Sequence, residues 1–306
     1  MSLPHQVLDL SQAEGHLSKE RGFLIFTPLE GQERRIPLDG ILALLMTSRH
    51  VTISANLLCA LAERQALVIV CGSNLMPLAI MSPLVGNHDL THRAAAQVAL
   101  TDRARGKLWQ ALVRAKINSQ RAALSPIAPD LMARFTQLAR QVKNGDPQNV
   151  EAQAAQIYWP ALMGKAFRRR PTAGDGNVHL NYGYAIVRAC MARAVVAAGL
   201  LPALGLHHSN ARNPFVLVDD LMEPYRPLVD RAVFALGREP GPLDAAAKAR
   251  LVALTNNQVC QGRGMVSLIQ GCHDLATSLA LVLLGERQDL DLPILSELSF
   301  ASQDQT

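Results

Sequence analysis

The hydrophobic pattern of the chain changes period at Gly86, and this change constrains the fold more than any other feature. Before it, short apolar runs at 22–27, 34–38, 66–71 and 76–81 are broken by turn residues, a pattern that predicts strands. Glu30-Gly31 supplies a hairpin turn, and Ser54 an N-cap for a helix running to Ala62. After Gly86 come long Ala-, Leu-, Arg- and Gln-rich segments with helical spacing, at 88–123, 129–143, 146–167, 182–199, 221–236, 244–254 and 264–285. The expected class is α+β, with a small N-terminal β-rich domain (1–86) followed by a larger all-α domain (87–286). Residues 287–306 are polar and expected to fray.

Nearly half of the residues are apolar (49%), enough for a packed core without covalent staples. Residues 1–15 carry His5, Asp9 and Glu14 and lack an apolar h-region, so they read as neither a signal nor a transit peptide. The longest apolar stretch, 186–206, is interrupted by Arg188 and Arg193, which fits a buried helix better than a membrane span. Cys59, Cys71, Cys190, Cys260 and Cys272 are odd in number and contain no CxxC pair, as expected of reduced core residues in cytosol. Gly262-Arg263-Gly264 and Gly174-Asp175-Gly176 lack the spacing of a P-loop, and no Gly-x-Ser-x-Gly elbow exists.

The formal charge of +5 is unevenly spread. Between Thr91 and Lys143 stand ten basic residues (Arg93, Arg103, Arg105, Lys107, Arg114, Lys116, Arg121, Arg134, Arg140, Lys143) against Asp102 and Asp130, a surplus larger than that of the whole chain. At helical pitch, Arg103, Lys107, Arg114 and Arg121 fall within about 40° of one another, beside an apolar stripe. Such a ridge can follow a phosphate backbone, or be an ordinary solvated helix face. Lys165, Arg168, Arg169 and Arg170, next to a loop at 171–177, form a second basic cluster and favour the nucleic-acid reading.

Asp146-Pro147 reads as a helix start, which places Glu151, Ala155, Tyr158 and Leu162 on one face. A carboxylate among apolar neighbours needs a cation: an arginine in a buried salt bridge, or a metal. Further on, Gly205–Phe215 and Val216–Pro227 pack His207, His208, Asp219, Asp220 and Glu223 into one short span. With Asp219 as a cap, Asp220 and Glu223 face the same way, and a divalent cation would relieve their repulsion. Taken singly, the acids read as caps and the histidines as a polar loop; together, one imidazole with several carboxylates suits Mn²⁺ or Mg²⁺, with zinc as the alternative.

At 149–159 (NVEAQAAQIYW), 180–188 (LNYGYAIVR), 205–210 (GLHHSN) and 219–227 (DDLMEPYRP) the chain strongly resembles the CRISPR-associated adaptation endonuclease and integrase, in the form that accompanies type II systems. The resemblance covers about 7–284. It implies a β-domain for dimerisation and partner contacts, a helical catalytic domain that binds metal and DNA, and a cytoplasmic homodimer. It also implies a heterohexamer with a small companion adaptation nuclease, contact with the type II effector, and double-stranded DNA (prespacer and CRISPR repeat) as substrate. Carried over by motif, the metal ligands are Glu151, His208 and Glu223, with Asp220 a fourth catalytic or supporting acid. The neighbours His207 and Asp219 leave a register ambiguity of one position.

The chemistry expected is attack of a DNA 3′-hydroxyl on a repeat phosphodiester, with Mn²⁺ or Mg²⁺ as cofactor and Arg212 and Arg226 as candidates to offset charge on the non-bridging oxygens. Arg226 also joins the two basic clusters as a DNA-binding candidate. A structure-specific repair nuclease acting on branched DNA and a non-catalytic DNA-binding scaffold are the rival readings.

Overall fold

The computed structural model describes residues 6–10, 13–46, 48–64, 66–72, 77–81, 89–170, 176–238, 240–262 and 264–295. The junction expected at Gly86, the loop at 171–175 and the tail from 296 onward lie outside the described residues. Two compact units divide between Asn87 and His88.

The first unit holds β1 (Gln6–Asp9), β2 (Gly15–Glu20), β3 (Phe23–Pro28), β4 (Arg34–Pro37), β5 (Ile41–Met46), β6 (Val51–Ile53), α1 (Ala55–Glu63), β7 (Leu67–Cys71) and β8 (Pro77–Met81). They form two four-stranded sheets, β4-β3-β2-β6 and β1-β5-β7-β8. The β3–β4 pair is antiparallel across the Glu30-Gly31 turn, and Ser54 caps α1 by accepting from Leu57 N, as the sequence leads one to expect. Leu17, Leu24, Leu38, Leu44, Leu57, Leu61 and Val68 fill the core of this unit, with α1 contributing its apolar face.

The second unit is helical: α2 (Leu90–Ala99), α3 (Asp102–Leu124), α4 (Met132–Gln141), α5 (Val150–Met163), α6 (Gly176–Ala197), α7 (Val216–Leu221), α8 (Arg226–Ala235), α9 (Ala245–Ala253) and α10 (Leu268–Leu283). The helix expected at 88–123 is two, because Leu100 is extended and Thr101 caps a new start through Ala104 N. The helix expected at 221–236 is likewise divided, by a 3₁₀ turn at Glu223–Tyr225 that carries Pro224. The unit is not all-α. β9 (Gln258–Gln261) and β10 (Gly264–Ser267) form an antiparallel hairpin, which takes the first turn from the helix expected at 264–285.

Part of the tail expected to fray is packed. Ile294 bridges to Cys260, Gln261 Nε2 donates to Asp291 O at 2.7 Å, and Leu290 and Leu295 are buried. α6 is buried over most of its length, as expected for the apolar stretch that begins there. A Cβ on Gly183 would meet Val229 Cγ1 at 2.4 Å, so glycine is what lets α6 and α8 approach closely. Among the described residues no helix is long and apolar enough to cross a membrane. Cys59 is exposed and Cys260 half-buried, so the core reading holds only for Cys71, Cys190 and Cys272.

Candidate functional site

The site begins with the turn that starts α5. Asn144 Nδ2 donates to Arg103 O at 2.9 Å and Gly145 N to Gly106 O at 3.0 Å, docking the turn onto α3. Gly106 is required there, since a Cβ would lie 2.1 Å from Asn144 Oδ1. The helix expected from Asp146 starts instead at Val150, with left-handed Asn149 as N-cap. Asp146 still caps from upstream, accepting from Val150 N at 2.9 Å and Glu151 N at 3.0 Å, which satisfies two otherwise orphaned donors. This fixes Glu151 in the first turn.

Its partner is a lysine rather than the arginine considered above. Lys116 Nζ, from the middle of α3, lies 2.5 Å from Glu151 Oε1 and 2.5 Å from Glu223 Oε2, so two carboxylates 72 residues apart in sequence meet on one ammonium. Arg226 Nε stands 2.8 Å from the other oxygen of Glu223. Burial opposes the charge on Lys116, yet Glu223 and Glu151 outweigh it and hold the ammonium above the usual lysine range. Burial likewise opposes ionisation of Glu223, and Arg226 and Lys116 reverse the balance and hold it below the usual carboxylate range.

His208 is oriented by Asp220. The fully buried Asp220 accepts from Leu206 N at 2.7 Å, His207 N at 3.0 Å and His208 N at 3.4 Å, and its Oδ1 lies 2.5 Å from His208 Nδ1. With Nδ1 engaged, Nε2 is the nitrogen left to bind an ion. The hydrogen bond to Asp220 raises the pKa of His208 against the effect of partial burial, and the charges of Asp220, Glu223 and Glu151 add to it. The expectation that Asp220 and Glu223 face the same way is corrected: α7 ends at Leu221, and the 3₁₀ turn sends Glu223 toward α3 while Asp220 faces the 206–208 loop.

The neighbouring candidates are occupied otherwise. His207 stacks flat on Trp109, with centroids 4.3 Å apart and planes 1° apart. Asp219 lies inside α7 rather than capping it, and binds Arg188 Nε at 2.6 Å and Asn213 Nδ2 at 2.6 Å, which pins the 209–215 loop. His207 and Asp219 thus have partners different from those of His208 and Asp220.

Among the described residues, no group of three or more His, Cys, Asp or Glu side chains stands close enough together to hold a metal as placed. Glu151 and Glu223 are joined through Lys116, while His208 is near enough for their charges to act on it without sharing a ligand cluster. The donor set nevertheless suits a hard divalent ion: two carboxylates already converge on one cation, and an imidazole has one nitrogen fixed. Sequence reasoning counted Lys116 only among the basic residues. The signal was its seven-residue spacing from Trp109, roughly 20° around the helix and on the apolar face with Leu112 and Val113.

Of the expected nucleic-acid contacts, Arg103, Lys107, Arg114, Lys165, Arg168 and Arg170 are exposed. Arg121 donates to Thr136 Oγ1 at 2.9 Å, joining α3 to α4. Arg169 is held by Asn177 and Asn181 and lies over the Tyr184 ring, whose other cation is Arg226. Tyr184 in turn donates to buried Asp230. Arg114 also donates to Val142 O, and Arg212 is exposed in the 209–215 loop.

A helical unit that gathers two carboxylates, an oriented imidazole and several cations beside a basic helix has the composition of a phosphodiester-processing enzyme. The family described as CRISPR associated protein Cas1 matches residues 9–240. A CRISPR-associated endonuclease Cas1 from Neisseria meningitidis serogroup C is 35% identical over 273 residues, 88% of this chain and 89% of that protein. A casposase bound to integration product has the same fold at a TM-score of 0.77 and 20% identity, over 95% of this chain and 93% of that one. A Cas6-RT-Cas1–Cas2 complex chain matches at a TM-score of 0.73 and 17% identity, over 96% of this chain and 36% of that one. The chain belongs to the Cas1 family. It is thus a CRISPR-associated protein, of a family whose relatives include the Neisseria endonuclease.

Proposed function

We propose that this protein inserts spacer DNA into a CRISPR repeat by directing a DNA 3′-hydroxyl onto a repeat phosphodiester, with a divalent ion held by Glu151, Glu223 and His208. The observation that carries the reading is the convergence of Glu151 and Glu223 on a single cation, with His208 oriented beside them. When bound, Mn²⁺ or Mg²⁺ supplies Lewis acidity toward a phosphodiester oxygen and favours ionisation of the attacking hydroxyl. Glu151 and Glu223 supply hard oxygen ligands, and Asp220 keeps His208 in the orientation and tautomer that present Nε2. Arg226 and Lys116, paired with these carboxylates, would offset the charge that gathers on non-bridging oxygens. Arg226 lies over the ring of Tyr184, which donates to Asp230.

The outward cations Arg103, Lys107, Arg114, Lys165, Arg168 and Arg170 are the groups suited to phosphate contact along double-stranded DNA, the prespacer and the repeat. A homodimer formed through the β-rich unit, a heterohexamer with a small companion nuclease, contact with a type II effector and a cytoplasmic location complete the reading. Its support is the family membership and the likeness to a chain of a complex that contains Cas2. The test is strand transfer on supercoiled repeat DNA. Joined products are expected from the wild type, with loss of joining but retention of folding and DNA binding in Glu151→Ala, His208→Ala and Glu223→Ala. Cleavage of branched DNA without joining would reassign the protein to repair, and full function in the triple variant to a scaffold.

A further inference from the structure

Lys116 sits between the two carboxylates that an ion would use, and this carries a consequence for how the ion is admitted. Glu151 and Glu223 bring two negative charges and Lys116 and Arg226 two positive ones, so the contacting side chains already sum to zero. The Lys116 side chain is only 14% exposed and Glu223 6%, so solvent screens these pairs little. A divalent ion entering this balanced cluster gains less than it would from two uncompensated carboxylates, and it shares both of them with an ammonium 2.5 Å from each. It gains their full use only when the ammonium moves off, and that ammonium then needs another anion.

We propose that Lys116 is a built-in competitor for the metal, and that a DNA phosphate relieves the competition by taking the ammonium, so that metal and DNA bind cooperatively. The inference rests on the metal reading above. Lys116 is on this view a positioning residue in the metal-free protein, holding Glu151 of α5 and Glu223 of the 3₁₀ turn together against α3. Removing its charge leaves two acids facing one another with Arg226 alone to compensate, which lowers stability without metal and raises affinity for a divalent cation.

The experiment is calorimetric titration of MnCl2 into the full chain, with and without a double-stranded DNA oligonucleotide. In the wild type, DNA is expected to tighten manganese binding by about tenfold or more, within the usual range of coupling between sites. K116Q is expected to bind manganese about tenfold more tightly than wild type without DNA, to gain less from DNA, and to melt lower in EDTA with recovery on adding MnCl2. Lys116→Arg, which keeps a cation in place, should behave as the wild type. Manganese affinity of K116Q equal to or weaker than wild type overturns the inference. Should K116Q fail to fold without metal, the wild-type titration decides, and absence of any DNA enhancement overturns it. E151Q separates the two readings: if it binds manganese as well as wild type, the metal site itself falls, whereas lost binding in E151Q with unchanged K116Q defeats only the role given to Lys116.

Discussion

Asp220 Oδ1 lies 2.5 Å from His208 Nδ1, and the same carboxylate accepts from the backbone of Leu206, His207 and His208. One buried acid thus sets both the path of the loop and the orientation of its imidazole. Asp220→Asn places an NH2 group against these donors, and an unsatisfied buried donor costs about 1–3 kcal/mol. Manganese affinity should fall about 10–100-fold, as for losses behind a ligating histidine. Asp219→Asn should lower stability by weakening the bond to Arg188 while leaving manganese affinity unchanged. Calorimetry on the two variants checks this, and the reverse pattern would shift the assignment by one residue.

Gly205 supports the same loop through its missing side chain. A Cβ there would sit 2.8 Å from His208 O, 3.0 Å from Val216 Cγ2 and 3.1 Å from Asp220 Oδ2. Gly205→Ala must therefore displace the loop, at about 1–3 kcal/mol for an overpacked site. Strand transfer should fall further than that stability loss accounts for, because the displaced atoms belong to His208 and Asp220. Thermal melts and joining assays below the melting range measure the two effects separately.

Asp230 gives a pH signature. Burial pushes it up to about 6, against the pull of the hydrogen bond from Tyr184. Its folded pKa lies above the unfolded value, so between about pH 4 and 6 the folded state binds more protons than the unfolded one. Stability from this group is present at low pH and is lost as pH rises through about 6. Wild type should therefore gain stability relative to Asp230→Asn as pH falls from 7 to 5. Urea titrations at those two values test it, and a constant difference would show that Asp230 does not titrate there.

The basic residues of α3 should divide by role. Lys107 is exposed, so Lys107→Glu should weaken DNA binding and lower the slope of log affinity against log salt by about 1. Arg121 is committed to Thr136 on α4, so Arg121→Glu should cost about 0.5–1.5 kcal/mol of stability. Its salt slope should stay close to wild type. Fluorescence anisotropy across a salt series and chemical denaturation separate the two.

Much of this was legible in the residues. Ser54 and the Glu30-Gly31 turn mark their elements locally, and the Ala- and Leu-rich segments carry their own helical period, so the two-part architecture follows from short-range pattern. The breaks at Leu100 and within 216–235 were missed because a cap or a proline competes with a periodic signal that runs across it. The hairpin at 258–267 was missed because its residues pair with one another and with Ile294 rather than follow a helix face. Glu151 declared its need for a cation, but nothing local names Lys116, which reaches it only through the docking of α5 on α3. Similarly, Asp220 and Glu223 are neighbours in sequence whose divergence depends on one 3₁₀ turn.

The central claim is that Glu151, Glu223 and His208 close on one divalent ion once Lys116 gives way. A crystal structure of the protein with DNA and MnCl2, read by anomalous scattering at the manganese edge, tests it most directly. The expected result is a single peak about 2.0–2.3 Å from a carboxylate oxygen of each glutamate and from His208 Nε2, with the Lys116 ammonium moved toward a phosphate. Manganese bound elsewhere, with Lys116 still between Glu151 and Glu223 and His208 turned away, would contradict the account.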